Sequence, residues 1–379
     1  MNFAVVSTSF TKYSETFIRT HADCICPDST ALVALNSSEF PQGFSELKSL
    51  SLLPRSSFWP KKVSSVIKLI VDGSVYYCGF ENSARLKDFF KKNQIKVVLS
   101  EYGPVGCAVA SACRQAGVKH YVHFHGYDAS MLIRHWHVRH SYKKLYKSAA
   151  GFIFPSNFLA KKLCNALKID LNNRIHVVPC CVQSKEFNCN SEKDENLLLS
   201  VGRFVPKKAP DKTIRAFAKV LEVFPAARLE MIGDGVLLHY CESLVKTLGV
   251  ESSVVFHGSK PHEFVKEKME RASLFLQHSV CAPNGDVEGL PVAVLEAMAA
   301  GAVVVATKHS GIPEAVVDGE TGMLVEEHDV EAMSRKCIEL LQNKELLSTM
   351  RDKARKRVED HYTVERQILL LRNILGLKV

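Results

Sequence analysis

Two carboxylates, Glu288 and Glu296, flank a predicted helix start in one short stretch of the chain. Pro291 suits the first position of a helix, and Gly301 suits the residue after its last turn, so the pattern predicts a helix over about 291 to 300. Glu288 then lies in the loop before the helix, and Glu296 lies in its second turn. The unpaired amides between them, with the positive end of the helix dipole, attract hydroxyls and phosphates. We therefore expect a sugar nucleotide to bind here.

A second group of polar residues follows a predicted strand that ends at Val201. Gly202 lets the backbone approach a ligand, Arg203 offers a planar fork that matches phosphate oxygens, and Lys208 adds a mobile positive charge. The next helix begins directly afterwards, so its amides point at the same place. The pattern predicts a diphosphate site. In open α/β sheets ligands bind outside the carboxyl ends of strands, so this loop and the Glu288 loop can form one site.

The elements that must position these residues alternate along the chain, with short apolar runs separated by amphipathic segments. Such runs are typical of parallel sheets covered on both faces, so the sequence predicts an α/β protein with two doubly wound, Rossmann-like domains. Strands are predicted at 3–6, 31–35, 97–99, 120–124, 151–154, 197–201, 228–232, 253–256, 274–276 and 303–306, and helices near 14–22, 104–116, 137–148 and 156–167.

The predicted domains are residues 1–182 and 183–362, with the polar stretch 183–196 as the linker. Residues 363–379 are predicted to hold a final amphipathic helix, capped by Thr363, that packs back toward the first domain.

Composition limits the possible classes of protein. The 379 residues are 46% hydrophobic, enough for two cores, and no apolar run approaches the ~18 residues of a membrane span. The first residues carry no basic region or cleavage site, so no signal peptide is expected. Twelve cysteines without a C-x-x-C pair favour a reducing cytoplasm. Residues 1–180 hold 23 Lys and Arg against 11 Asp and Glu, an excess that favours an anionic partner.

Taken together, these motifs resemble those of retaining glycosyltransferases of family 4. The resemblance covers nearly the whole chain, and its second-half motifs are specific because four spaced elements agree in order. They are Gly202-Arg203 with Lys208, Glu288 to Glu296, Gly311-Ile312-Pro313-Glu314, and Asp318-Gly319-Glu320-Thr321-Gly322. The first half resembles the colanic-acid and amylovoran branch, whose enzymes build bacterial surface polysaccharides, at Ser14–Ile18, Tyr102–Gly106 and His123–Asp128.

The resemblance implies a GT-B fold in which two Rossmann-like domains face a cleft, with the donor bound mainly by the second domain and the acceptor mainly by the first. Catalysis would need no metal and no cofactor, because the nucleotide-diphosphate sugar is a substrate. The implied roles are Arg203 and Lys208 for the diphosphate, Glu296 for the ribose diol, and Glu288 with the Gly289 and Leu290 backbone for the sugar hydroxyls. His125 would approach the sugar from across the cleft, and Tyr102 and Gly103 would lie on the acceptor side. The family's Gly-Gly loop is replaced here by Thr11-Lys12-Tyr13-Ser14.

Elementary chemistry supports this division of roles. Breaking a glycosyl phosphate bond develops negative charge on the leaving diphosphate, so two fixed cations stabilise the transition state more than the ground state. No Asp-x-Asp element ends a predicted strand, which agrees with an enzyme that needs no metal. Structural explanations without a ligand stay open. The glutamates could only stabilise the helix N-terminus and its exposed face, the cations could be surface charges, and His125 could be a hydrogen-bonded polar residue at a strand end.

Two basic segments also carry aromatic residues. Residues 54–62 include Trp59, Lys61 and Lys62, and the predicted helix around 134–147 includes Lys143 and Lys144 with Trp136, Tyr142 and Tyr146 interleaved. Such segments favour docking of a cytoplasmic protein on the anionic inner leaflet, where a lipid-linked glycan acceptor would be found. A solvated face is the alternative. The His-x-His spacings at His123, His125 and Asp128 and at 135–140 suggest a metal site only weakly. Gly126 interrupts the first group, and the second lies on a predicted helix, where side chains two residues apart point in different directions.

Other classes of protein remain open. A sugar-nucleotide epimerase of GT-B architecture would use the same diphosphate site but convert its donor without an acceptor. A nucleic-acid-binding protein would explain the basic first half but not the paired glutamates or the phosphate loop. The choice between a UDP and a GDP sugar, and the identity of the glycan acceptor, depend on pocket shape that motifs do not encode.

Overall fold

The computed structural model describes residues 2–11, 16–27, 29–36, 40, 49–52, 79–189 and 191–377. The chain divides into two compact units. The first comprises Met1–Pro179 with Gln367–Val379, and the second comprises Cys180–Arg366. Among the helices in these described ranges, none is both long enough and apolar enough to span a bilayer.

The first unit is built on a parallel sheet of seven strands in the order β3-β2-β1-β4-β5-β6-β7. Its apolar strands are covered by helices on both faces, as the continuous hydrophobic runs require. The strands are β1 (Phe3–Ser7), β2 (Thr30–Ala34), β3 (Ser49–Ser51), β4 (Val97–Glu101), β5 (Lys119–His123), β6 (Gly151–Phe154) and β7 (Ile175–Val177). The helices are α1 (Thr16–Cys24), α2 (Phe80–Lys92), α3 (Gly103–Ala116), α4 (Trp136–Ser148) and α5 (Asn157–Leu167).

The second unit contains a parallel sheet of six strands in the order β10-β9-β8-β11-β12-β13. Two hydrophobic clusters pack against this sheet, one including Phe275 and Met298 and the other including Phe217 and Met333. The strands are β8 (Asp194–Val201), β9 (Arg228–Ile232), β10 (Val254–Phe256), β11 (Ala272–Gln277), β12 (Val303–Thr307) and β13 (Gly322–Val325). The helices are α6 (Pro210–Val223), α7 (Leu238–Leu248), α8 (His262–Arg271), α9 (Val292–Ala300), α10 (Ile312–Ala315), α11 (Val330–Gln342) and α12 (Lys344–His361).

The predicted α/β class with two parallel sheets is confirmed. The ends of the predicted strands agree with the observed ones within one or two residues, except that β8 begins earlier, at Asp194. In contrast, β3, β7 and β13 were missed because they are short or contain few apolar residues. The predicted linker 183–196 is wrong at its end, since Asp194 already begins β8. The helix predicted from 291 begins at Val292, with Pro291 in extended conformation as its cap, while Gly301 ends it with a φ of 79° as predicted.

The final helix, α13 (Val364–Leu375), follows the predicted cap. The Thr363 hydroxyl accepts a hydrogen bond from the Arg366 amide at 3.3 Å. From Gln367 onward the helix belongs to the first unit. There the Arg372 guanidinium donates to the carbonyls of Ile25 and Cys24 at the end of α1, at 2.8 and 3.1 Å. The C-terminal helix therefore stabilises the end of α1.

Replacing Thr363 by valine should lower the free energy of unfolding by about 1 kcal/mol, because the amide of Arg366 loses its acceptor. Serine keeps the hydroxyl, so Thr363→Ser should retain most of the stability. Urea denaturation followed by circular dichroism measures both changes. A loss of stability in Thr363→Ser with none in Thr363→Val would show that the methyl group, and not the cap, carries the effect.

Candidate active site

The loops after β8 and β11 lie where the strand order of the second sheet reverses. β8 pairs with β9 on one side and with β11 on the other. Ligands of open α/β sheets bind outside the carboxyl ends of the strands at such a switch point. The diphosphate loop predicted at Gly202 follows β8, and the loop that carries Glu288 follows β11. The topology therefore brings the two predicted loops to one edge of the sheet.

Glycines allow these loops to pack closely. A Cβ at Gly233, whose φ is +138°, would lie 2.0 Å from the Gly202 carbonyl oxygen, and one at Gly202 would lie 3.3 Å from Cε of Lys208. Gly202, Arg203 and Lys208 line one small cavity together with Gln277. The Arg203 side chain is exposed at its rim. The structure thus places the three predicted phosphate-binding residues together, and it adds Gly233, whose Gly-Asp-Gly signal after β9 was missed in the sequence.

Lys207, which was not predicted as a site residue, fastens the two loops. It is only 6% exposed, and its Nζ lies 3.1 Å from Oδ2 of Asp286 and 3.4 Å from the Val287 carbonyl oxygen. A buried ammonium is stable only when it is paired in this way. The backbone of Lys207 also joins the two loops, because its carbonyl accepts a hydrogen bond from the Val280 amide at 2.9 Å. The Lys-Lys pair therefore divides into a structural lysine and a neighbouring one that faces the predicted site.

Lys208 and Glu288, predicted to bind different parts of one ligand, form an ion pair with Nζ 3.2 Å from Oε1. Burial alone would raise the pKa of Glu288, but the Lys208 and Lys207 ammonium groups outweigh it, so its pKa is lowered from the ordinary value. Glu288 is therefore ionised at neutral pH and can accept hydrogen bonds from hydroxyl groups. Among the described residues, the amides of Gly289 and Leu290 donate no hydrogen bond, so both are available to a ligand.

The segment after β12 holds the backbone of the Glu288 loop in place. The Glu288 amide donates to Nε2 of His309 at 3.1 Å, and Nδ1 of His309 lies 2.6 Å from Oε1 of Glu327. Because Nε2 accepts, the proton of a neutral His309 is on Nδ1 and is donated to Glu327. The Ser310 hydroxyl donates to the carbonyls of Glu288 and Gly289. His309 is a supporting residue that the sequence analysis missed, although it stands just before the Gly311–Glu314 motif.

Glu296 lies in the second turn of α9, as predicted, and is partly buried. Burial raises its pKa, while the His262 imidazole, whose Nδ1 is 4.0 Å from Oε1, acts in the opposite direction. The two predicted carboxylates therefore differ in their electrostatic surroundings. Glu288 is held between lysines, whereas Glu296 has the His262 imidazole as its charged neighbour.

In the first unit, His125 follows β5, and its Nε2 lies 2.7 Å from Oε2 of the buried Glu101. Burial raises the pKa of Glu101, but His21, His125 and His123 together hold it well below its ordinary value. The His125 ring also packs against Phe17, at 4.3 Å between ring centroids. The predicted role of His125 in donor binding stays a prediction, and its partner Glu101 was not foreseen because it reads as the end of a strand.

Asp128 has a structural task. Its Oδ2 accepts from the Gly103 amide at 2.8 Å, and its Oδ1 accepts from the amides of His125 and Gly126 at 2.9 and 3.2 Å. Burial raises the pKa of Asp128, whereas the His125 imidazole and the backbone amides of Gly103 and His125 oppose the shift. The contacts of Asp128 therefore give no support to the weakly suggested metal site at His123, His125 and Asp128. The carboxylate next to these histidines is Glu101.

Tyr102 and Gly103, predicted on the acceptor side, begin α3 at the carboxyl edge of the first sheet. Tyr102 has a φ of 76°, and a Cβ at Gly103 would lie 2.5 Å from ring atoms of Phe124 and from the Tyr142 hydroxyl. Packing alone thus requires glycine at position 103. The proposed contact of either residue with an acceptor stays a prediction.

The interpretation of α4 as an aromatic and basic surface is wrong in part. Tyr142 is fully buried and Tyr146 is 8% exposed, whereas Trp136 is 63% exposed. Lys143 and Lys144 are exposed as predicted. The face that meets solvent is therefore basic, with Trp136 as its large apolar residue. Trp59, Lys61 and Lys62 lie outside the described residues.

The comparisons with known proteins agree with this fold. The family profile described as "Glycosyl transferases group 1" matches residues 182–357, and that described as "Glycosyltransferase Family 4" matches residues 57–186. The chain is 30% identical over 289 residues to the putative colanic acid biosynthesis glycosyltransferase WcaL of Salmonella typhimurium, covering 73% of this chain and 70% of WcaL. It is 29% identical to the amylovoran biosynthesis glycosyltransferase AmsK of Erwinia amylovora, covering 70% of this chain and 66% of AmsK.

Among solved structures, the chain resembles HepE of Anabaena in complex with UDP, with a TM-score of 0.77 and 14% identity over 99% of this chain and 100% of that one. The matching family profiles and relatives, together with the two parallel Rossmann-like sheets, identify the chain as a glycosyltransferase of GT-B fold. The chain belongs to glycosyltransferase family 4.

Asp128→Asn should lower the free energy of unfolding by about 1–3 kcal/mol, because an amide nitrogen cannot accept from the backbone amides that both carboxylate oxygens now serve. Asp88, whose side chain is 73% exposed, gives a matched control, and Asp88→Asn should change stability by less than about 0.5 kcal/mol. Urea denaturation of the two variants measures the difference. Equal stability of Asp128→Asn and the wild type would contradict the role of Asp128 in holding the His125 loop.

Proposed function

We propose that this protein transfers a sugar from a UDP or GDP sugar to a glycan or lipid-linked glycan acceptor during assembly of a bacterial surface polysaccharide. The observation that carries the proposal is the Lys208–Glu288 pair beside Arg203 and the unbonded amides of Gly289 and Leu290. WcaL and AmsK, named for colanic acid and amylovoran biosynthesis, support the polysaccharide, and HepE in complex with UDP supports a nucleotide donor.

The proposed donor site uses charge in two ways. Arg203 and Lys208 bind the diphosphate and stabilise the negative charge that develops on it as the glycosyl bond breaks. This is the role that a divalent ion would otherwise fill, so we propose that transfer requires no metal at the diphosphate. Glu288, kept ionised by Lys208 and Lys207, accepts hydrogen bonds from sugar hydroxyls, which the Gly289 and Leu290 amides complement.

We also propose that the reaction retains the configuration of the sugar. The acceptor attacks from the face that the diphosphate leaves, and a departing phosphate oxygen takes the proton of the acceptor hydroxyl. No described carboxylate of the second unit is needed as a nucleophile in this scheme, because Glu288 serves as an acceptor for hydroxyls. The product stereochemistry, read from the coupling constant of the anomeric proton, tests this step.

Glu296 is proposed to accept both hydroxyls of the donor ribose. Glu296→Ala should weaken binding of UDP or GDP by roughly 10- to 100-fold, since hydrogen bonds to a charged group contribute about 1.5–3 kcal/mol. The matched ligand without the 2′- and 3′-hydroxyls should bind the wild type and the variant equally. Titration calorimetry without divalent ions measures all four affinities and identifies the base.

The control variant for this cycle is Glu263→Ala, which removes an exposed glutamate from neighbouring α8. Its affinities should match those of the wild type. A loss in Glu296→Ala that is the same for both ligands would mean that the carboxylate does not contact the ribose diol.

Conversion of the donor in the absence of any acceptor would favour an epimerase over a transferase.

For localisation, we propose that the basic face of α4 docks on the anionic inner leaflet, where a lipid-linked acceptor would be presented. Each lysine near such a surface contributes about 1 kcal/mol, so reversing Lys143 and Lys144 to glutamate should weaken binding to anionic vesicles by roughly tenfold or more. The same charge change at the exposed Lys353 and Lys356 of α12 is the control. Co-sedimentation with vesicles at low salt decides the matter, and equal retention on neutral vesicles would exclude the proposal.

A further inference from the structure

A buried cluster of two imidazoles and a carboxylate lies in the first unit, at the carboxyl edge of its sheet. His21 comes from α1, Glu101 ends β4 and His123 ends β5, and their exposures are 0%, 0% and 2%. Nδ1 of His21 lies 2.8 Å from Oε1 of Glu101, and Nδ1 of His123 lies 3.6 Å from Oε2. One ligand atom from each of the three residues lies within 4.8 Å of the others.

The hydrogen bonds around His21 leave a lone pair facing the carboxylate. The Gln367 amide is oriented by its Nε2, which donates to the Pro179 carbonyl at 2.7 Å. Its Oε1 therefore faces Nε2 of His21 at 3.3 Å and accepts the ring proton there. A neutral His21 then presents an unprotonated Nδ1 to a carboxylate oxygen, and two acceptors repel each other at 2.8 Å. A cation is required between them, either a second proton or a metal ion.

His123 supplies an independent observation. Neither of its ring nitrogens has a hydrogen-bond partner among the described residues, although the side chain is buried. A buried polar group without a partner costs about 1–3 kcal/mol and calls for an explanation by an unseen ion or water. Its ring stacks beside that of His21, at 5.3 Å between centroids, so both imidazoles lie at the same carboxylate.

We propose that His21, Glu101 and His123 bind a divalent transition-metal ion, with zinc as the best match. Two imidazoles and one carboxylate are a common zinc set, whereas Mg²⁺ and Ca²⁺ prefer oxygen ligands. The surrounding contacts are those that metal ligands need. His21 donates its other ring proton to Gln367, and the second oxygen of Glu101 lies 2.7 Å from Nε2 of His125.

The proposed ion would tie α1 to the ends of β4 and β5. The proposed ligands all belong to the first unit, whereas Arg203 and Lys208 belong to the second. The inference therefore does not rest on the proposed function and survives or fails independently of it. It also gives His21 and His123 a role as metal ligands, whereas the proposed donor site gives them none.

The test uses the full-length chain after treatment with a chelator. Titrated Co²⁺ should give the visible absorption of a tetrahedral site, Zn²⁺ should abolish it by competition at roughly one ion per chain, and excess Mg²⁺ should have no effect. Zn²⁺ should also raise the melting temperature. His123→Leu should lose the absorption without loss of metal-free stability, because the His123 nitrogens make no hydrogen bond that leucine would remove.

His120→Leu is the matched control, since His120 is equally buried on β5 but bonds to Ser100 outside the cluster. It should keep the Co²⁺ absorption. Gln367→Leu should weaken Zn²⁺ binding by about 10- to 100-fold through the loss of the partner of His21. Absence of the absorption in the wild type, or its persistence in His123→Leu, would overturn the proposal. Nitrogen-15 NMR gives a further check. If His21 is an imidazolium even in the presence of Zn²⁺, the cation beside Glu101 is a proton and the proposal fails.

Discussion

The constraint on which the proposed donor site depends is the burial of positive charge between two loops at the switch point of the second sheet. Lys207 is nearly inaccessible, and its ammonium is tolerated only because Asp286 and the Val287 carbonyl meet it. That pairing fixes the distance between the loop after β8 and the loop after β11. Lys208 directly follows Lys207, and Glu288 lies two residues after Asp286. The Lys207–Asp286 pair therefore also brings Lys208 and Glu288 together.

Glycine at position 233 lets the backbone after β9 pack directly against the loop after β8. At Gly233 a side chain would overlap the Gly202 carbonyl, and φ there is one that other residues rarely adopt. The neighbouring Glu288 loop is held by contacts of another kind, from His309 and Ser310 after β12. The ends of four neighbouring strands of one sheet, β9, β8, β11 and β12, thus contribute one fixed backbone surface, whereas the exposed Arg203 is free to adjust to a ligand.

Local signals in the sequence were sufficient for the parts of the fold that local chemistry decides. Gly301 and Thr363 were predicted as helix boundaries because a left-handed residue and a hydroxyl cap act within one turn. The motif residues at 202–208 and 288–296 were found for a similar reason. Pairings between distant residues could not be read in the same way. Lys207 and Lys208 look alike in the sequence, and only the tertiary structure separates the buried lysine from its neighbour.

The aromatic residues of α4 and the role of Glu101 were misjudged for related reasons. Tyr142 and Tyr146 occupy helix positions that face the sheet, so their burial depends on where α4 packs and not on their polar neighbours. Glu101 reads as an ordinary strand end because its histidine neighbours are distant in sequence, with His21 on α1, His123 at the end of β5 and His125 just after it. A charged residue at the end of a buried strand is, however, a signal in itself, since it must find its compensation in three dimensions.

The lysine arrangement has a consequence for how a diphosphate would bind. In the proposed complex the phosphates draw Lys208 away from Glu288, which would leave a buried carboxylate with less compensation. Lys207 cannot follow, because Asp286 holds it, and it continues to stabilise the ionised form of Glu288. Sugar hydroxyls can supply the hydrogen bonds that Lys208 gives up. A bare nucleotide diphosphate offers the phosphates but not these hydroxyls, so the same ion pair would favour a complete sugar nucleotide over the product that remains after transfer.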